Sequence, residues 1–132
     1  TNFNVKMLKN LSNIDYKGPF YNGLKEIAEG YDAFLYTSEY DGMPNVILEA
    51  AGVGLPIISS AVGGIPDLLE DKRNSLLINQ YDDVNEYRQK IIYALKHRKE
   101  FNEYALKAYS ELKDRYNWNV YESTLKSIIK KS

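Results

Sequence analysis

Short apolar runs alternate with stretches of helical spacing over the first two thirds of the chain, and the last third is helical in pattern throughout. Four segments carry strand composition: Ile14 to Lys17, Ala33 to Thr37, Pro56 to Ser60 and Ser75 to Ile78. AFLYT and PIIS are nearly continuous apolar runs, the pattern of strands covered on both faces. Between them, Phe20 to Glu29 repeats Phe20, Leu24, Ile27 and Ala28 at helical spacing, Pro44 to Val53 forms a second helix, and Pro66 to Asp71 a short helical turn. Strands alternating with helices predict βαβ units and a parallel sheet.

From Tyr81 onward three helices are expected. Val84, Tyr87, Ile91 and Leu95 share one face, then Phe101, Ala105, Ala108 and Leu112, then Trp118, Tyr121, Leu125 and Ile128. Asn117 is placed to cap the last helix, and KSIIKKS sets cations at its C-terminal end, where the helix dipole favours them. LEDKRN and KHRKE read as solvated turns.

The second helix contains a carboxylate in apolar company. Val46, Ile47, Leu48, Ala50, Ala51 and Val53 surround Glu49. Pro44 suits the first helical position, because its missing N–H would have no intrahelical partner there. At helical spacing Asn45, Glu49 and Gly52 form one narrow polar stripe. An ionised carboxylate in such a place is costly unless something hydrogen-bonds it. The start of the helix also presents free backbone N–H groups and the positive end of its dipole, which suit a phosphate. Together they combine a hydroxyl acceptor with an anion cradle at the C-terminal end of a parallel strand, where open α/β sheets bind ligands. That fits a nucleotide, with its diol on Glu49 and its phosphates on the helix start. The other reading of the same residues pairs Glu49 with a buried cation or turns it to solvent.

SSAVGGIPDLL, Ser59 to Leu69, follows the next strand. Gly63 and Gly64 permit a tight turn and close backbone approach, and Pro66 opens another helix. This loop should lie beside the first at the same end of the sheet.

Composition narrows the classes. A chain of 132 residues, 44% hydrophobic and 27% charged, suits one soluble globular domain. Seventeen basic against eighteen acidic residues argue against nucleic acid as a partner. No cysteine is present and His97 is the lone histidine, so thiolate and His-ligated metal sites are not expected. The twelve tyrosines fall mostly in helical patterns, where an amphipathic ring suits the rim of a core.

The run YDAFLYTSEYDGMPNVILEAAGVGLPIISSAVGGIPDLL resembles the C-terminal, donor-binding domain of retaining glycosyltransferases of the GT-B fold, group 1 (family 4). NIDYKGPF is similar to that family's strand ending in glycine, NSLLI to its Gly-Leu-Leu-Val strand and YNWNVYESTLKSII to its terminal helix. The resemblance implies a Rossmann-like α/β fold: a parallel sheet of about four strands with flanking helices, followed by an all-helical C-terminal third. It also implies a nucleoside diphosphate sugar as donor, a hexose transferred to a glycan or lipid-linked acceptor, no metal or other cofactor, and a cytoplasmic site of action, peripheral to the membrane in the whole enzyme.

By the same resemblance the family's Glu-x7-Glu signature falls on Asp41 and Glu49. Glu49 would hold the ribose hydroxyls and Asp41 the hydroxyls of the transferred sugar. Backbone N–H groups of Gly42 and Met43, and the helix start at Asn45 and Val46, would hold sugar and diphosphate. Gly63 and Gly64 would approach the donor, and Gly18 and Pro19 the base. Two positions depart from the pattern: Asp41 is a methylene shorter than glutamate, and Pro44 stands where glycine is common.

Family members also carry an N-terminal acceptor domain and, at the start of the donor domain, two further strands bearing a Gly-Arg and a Lys-Gly, which the resemblance would place before Thr1. Those strands would lie between the segments 14–17 and 33–37. The implied domain is therefore partial, its acceptor half belongs to the same polypeptide, and the isolated chain is expected to be catalytically silent. Exposed sheet edges would favour self-association. A non-catalytic interaction module built on the same fold is the alternative reading.

Overall fold

Three of the four expected strands form, and they pair in parallel in the order β1-β2-β3. The computed structural model describes residues 5–130. In chain order these are α1 (Val5–Lys9), a 3₁₀ turn (Leu24–Glu26), β1 (Phe34–Tyr36), α2 (Asn45–Gly52), β2 (Ile57–Ser60), α3 (Ile65–Leu68), β3 (Leu76–Ile78), α4 (Val84–Lys96), α5 (Arg98–Arg115) and α6 (Trp118–Lys130). Phe34 pairs with Ile57 and Tyr36 with Ser59; Ile58 pairs with Leu76 and Ser60 with Ile78.

The central strand β2 is buried at all four positions, because both faces of the sheet are covered. Alternation along the strands divides the core in two. Ile57 and Leu77 face α2, α3 and the second half of α5, packing with Ile47, Ala50, Ala51, Ile65, Leu68 and Ala108. Ile58, Leu76 and Ile78 face α4 and the first half of α5, packing with Tyr87, Ala94, Phe101 and Tyr104.

The expected strand Ile14 to Lys17 does not form. Those residues are exposed and lie in irregular chain. A parallel strand needs apolar side chains toward both covers, and IDYK offers one aliphatic residue. The expected helix from Phe20 to Glu29 is reduced to the turn Leu24–Glu26, because Gly23 adopts φ 88° and ψ 167°, a conformation no helix passes through. Pro44 does not take the first helical position. It is the cap residue, extended at ψ 127°, and its carbonyl accepts from Ile47 N at 3.0 Å. Pro66 likewise sits inside α3, one residue after Ile65 begins it.

On α4 the buried row is Tyr87 and Ala94, whereas Val84 and Leu95 are 75% and 56% exposed. The expected face is displaced because the outer side of β1 is uncovered there, leaving Leu35, Ile91 and Leu95 around an open groove of about 380 Å³. The α5 face holds as expected, with Phe101, Ala105 and Ala108 buried and Leu112 packed at the margin. On α6, Leu125 and Ile128 are exposed; the side chains of Trp118 and Tyr121 lie outside the described residues. Asn117 directs its side-chain amide back to the Asp114 carbonyl at 3.5 Å.

LEDKRN proves to be a clamp instead of a solvated turn. Asn74 is fully buried: its Nδ2 donates to Leu68 O at 3.0 Å and to Glu111 Oε2 at 2.7 Å, while its Oδ1 accepts from Glu70 N at 2.8 Å. Arg73 grips Glu111 through two guanidinium nitrogens and Glu70 through a third. Arg115 adds a bond to Asp67 O. These contacts fix α5 against the α3–β3 connection and so hold β3 beside β2. In KHRKE, Glu100 accepts from the hydroxyls of Tyr93 and Tyr104, while its basic neighbours remain exposed.

Candidate functional site

The C-terminal ends of β1, β2 and β3 carry three loops that meet. Ser60 Oγ donates to Ser38 O at 2.7 Å, tying the end of β2 to the end of β1. Gly64 N donates to Gly42 O at 2.6 Å, joining the loops themselves. Gly63 takes φ 56°, and a Cβ there would overlap Asp41 O and stand 2.5 Å from Gly42 O. Only glycine permits that approach. From the third loop, Tyr81 reaches Glu39, whose carboxylate at the hydroxyl raises the phenol above its ordinary value.

Glu49 lies half-buried on α2, with Asn45 and Gly52 exposed on its stripe and Ile47, Ala50 and Ala51 buried behind. One oxygen is engaged: Leu24 N donates to Glu49 Oε2 at 2.7 Å. The carboxylate thus caps the 3₁₀ turn, satisfying one of the N–H groups that a helical start leaves open. A Cβ on Gly23 would stand 3.3 Å from the same oxygen. Among the described residues no cation pairs with Glu49, and Oε1 accepts no hydrogen bond.

Asp41, half-buried in the β1–α2 loop, receives the Tyr36 hydroxyl on Oδ2 at 2.7 Å. Burial first, then the Asp41 carboxylate, raises the Tyr36 phenol above its ordinary value, so Tyr36 remains a donor through the neutral range. The start of α2 at Asn45 and Val46 presents first-turn amides whose acceptors do not exist within a helix. With Gly42 and Met43 just before it, this edge of the site sets the Asp41 carboxylate near the backbone amides that open the helix.

The structure brings together Asp41, Gly42, Met43, Gly63 and Gly64, with Met43 Cβ 3.5 Å from where a Gly64 Cβ would stand. It places Glu49 on the neighbouring side, against Gly23 and Leu24. Gly18 and Pro19 lie in the irregular segment leading to Gly23, and nothing comes within 4 Å of a Gly18 Cβ position. Sequence reasoning missed Tyr36, Gly23 and Leu24 as neighbours of the carboxylates. The available signal was the Asn22-Gly23 turn pair, which marks a break in the helix read through it. The groove at Leu35, Ile91 and Leu95 contains neither Asp41 nor Glu49.

Three parallel strands between flanking helices, with their loops gathered at the C-terminal strand ends, define an α/β domain of the class whose ligands bind at that edge. Residues 3–97 match the family model described as Glycosyl transferases group 1, and the chain belongs to that family. Among curated relatives, a GDP-mannose-dependent alpha-mannosyltransferase of Mycobacterium tuberculosis is 34% identical over 76 residues, covering 55% of this chain and 19% of the relative. A trehalose synthase of Pyrococcus horikoshii is 30% identical over 95 residues, covering 72% and 21%.

The fold is shared with the Anabaena protein HepE, solved in complex with UDP, at TM-score 0.69 and 20% identity over 76% of this chain and 28% of that one. It is shared equally with a sucrose-phosphate synthase from Thermosynechococcus elongatus, at TM-score 0.67 and 21% identity over 76% and 25%. The α/β class, a parallel sheet with flanking helices of the GT-B kind, stands. The chain spans about one fifth of the length of the curated relatives just named. No described helix is long and apolar enough to cross a membrane.

Proposed function

We propose that this chain is the nucleotide-sugar-binding part of a retaining, family 4 type glycosyltransferase, which moves a hexose from a nucleoside diphosphate sugar to a glycan or lipid-linked acceptor. The observation that carries the reading is the unengaged oxygen of Glu49 beside the open start of α2. Glu49 Oε1 accepts from the ribose diol, while Oε2 keeps the Leu24 turn in place. Asp41 addresses the sugar hydroxyls. Amides of Gly42, Met43, Asn45 and Val46 take the diphosphate and stabilise the charge that builds on it as the glycosidic bond breaks. Gly64 has its N–H committed to Gly42, so the Gly63-Gly64 turn contributes shape and close approach. Gly18 and Pro19 lead the chain toward the base.

No metal is required in this scheme, because fixed dipoles carry the leaving-group charge. The acceptor is bound by a further domain of the same polypeptide, and residues 1–132 alone bind donor without turnover. The whole enzyme works in the cytoplasm, at or near a membrane surface where lipid-linked acceptors are found.

A second reading, a non-catalytic interaction module, draws on the engagement of both carboxylates within the chain. Metal-free NMR titration with UDP, GDP and ADP sugars separates the two. Amide shifts at Gly42 to Glu49 with one of them support the donor site. Silence with all three overturns it.

A further inference from the structure

The donor reading assigns Asp41 to the sugar, yet Asp41 is not a free carboxylate. Tyr36, the last residue of β1, donates its hydroxyl to Asp41 Oδ2 at 2.7 Å. We propose that Tyr36 is a positioning residue for the sugar half of the donor site, holding the short Asp41 side chain so that Oδ1 is presented to a hydroxyl of the bound hexose. The inference rests on the donor reading above.

Three observations carry it. Tyr36 belongs to the rigid sheet, paired in register with Ser59, and its ring stacks on Phe34 at 6.3 Å between centroids, so the phenol is a fixed anchor. Asp41, by contrast, stands on a loop whose backbone is clamped from the other side by Gly63 and Gly64. Backbone and carboxylate are thus both held, the one by the loop after β2 and the other by β1. Finally, the Tyr36–Asp41 bond uses one carboxylate oxygen, and among the described residues Oδ1 accepts no hydrogen bond.

A short carboxylate suits this arrangement. With one methylene less than glutamate, Asp41 ends within reach of a phenol five residues earlier on the strand end. Locking one torsional state in advance removes part of the ordering cost when the sugar binds. The phenol therefore acts on the sugar through Asp41 and leaves the nucleotide contacts at Glu49 untouched.

The test compares affinities of the unmodified nucleoside diphosphate and of its hexose conjugate, by calorimetry, on the wild-type chain, Tyr36→Phe, Asp41→Ala and the double variant. Tyr36→Phe is expected to leave nucleoside diphosphate affinity unchanged and to cut the extra affinity contributed by the sugar about 3- to 10-fold. In the Asp41→Ala background the same change should have no further effect, since the phenol acts through that carboxylate.

Loss of affinity for both ligands in parallel, or an undiminished effect of Tyr36→Phe without Asp41, overturns the positioning role and leaves the donor reading intact. If the wild type binds neither ligand, the donor reading fails and this role with it. Should Tyr36→Phe not fold, 3-fluorotyrosine in place of the tyrosines gives a second readout. The fluorine resonance of residue 36 should move with the sugar conjugate and stay still with the nucleoside diphosphate; the reverse result overturns the inference.

Discussion

Leu24 N and Glu49 Oε2 meet at 2.7 Å across 25 positions of sequence. This single contact joins an otherwise irregular stretch, residues 10–23, to the one acidic side chain of α2. It also explains why a carboxylate is tolerated there: the bond to a backbone N–H offsets part of its desolvation, and a half-open position offsets more.

Gly23→Ala tests that junction. The native φ of 88° with ψ 167° is nearly exclusive to glycine, and an added Cβ would press on Glu49 Oε2 at 3.3 Å. A loss of about 1–3 kcal/mol is expected in urea unfolding. An unchanged midpoint would show that the turn is not held as described.

Gly63→Ala should be more damaging. Its Cβ would enter the space of Asp41 O and Gly42 O, both backbone atoms with nowhere to move. Strain and clash together predict about 2–5 kcal/mol, or failure to fold, read by thermal or urea denaturation.

Asn74→Ala removes a fully buried amide and orphans Glu70 N and Leu68 O. With one buried and one part-buried group left unsatisfied, a cost of about 2–4 kcal/mol is expected, against near-neutral surface controls such as Lys99→Ala.

The clamp also predicts a pH dependence. Arg73, chiefly through its hydrogen bond, holds the Glu111 carboxyl below its ordinary value of 4.5. A carboxyl whose pKa is depressed by folding contributes stability that is fully present above its unfolded pKa and is lost as pH falls through the folded one. The stability gap between wild type and Glu111→Gln, measured in urea from pH 7 down to pH 3, should therefore narrow below about pH 4.3. A gap that is constant across that range would contradict the pairing.

The parts legible in sequence were those governed by strong local signals. PIIS formed the central strand because both its faces are covered, AFLYT formed an edge strand whose outer face at Leu35 is open, and the Phe101, Ala105, Ala108 row met the core because α5 spans both halves of it. The segment 14–17 carries one aliphatic residue and pairs with no strand among the described residues. Phe20 to Glu29 has helical spacing, but Gly23 overrides it through its backbone angles. The two carboxylates and the Gly-Gly turn were readable from motif spacing. Their actual partners, Tyr36 and Leu24, were not, since both contacts depend on where a loop returns in space. Asn74 looked like part of a charged turn; only the packing of α5 over it makes it a core residue.

The central claim, that Glu49 receives the ribose diol, is tested most directly by comparing a nucleoside diphosphate with its 2′,3′-dideoxy counterpart on wild type and Glu49→Gln. The wild type should prefer the diol by about 10- to 100-fold, and the substitution, which keeps an acceptor for Leu24 N, should erase most of that preference. Equal affinity of the wild type for the two nucleotides would contradict the account.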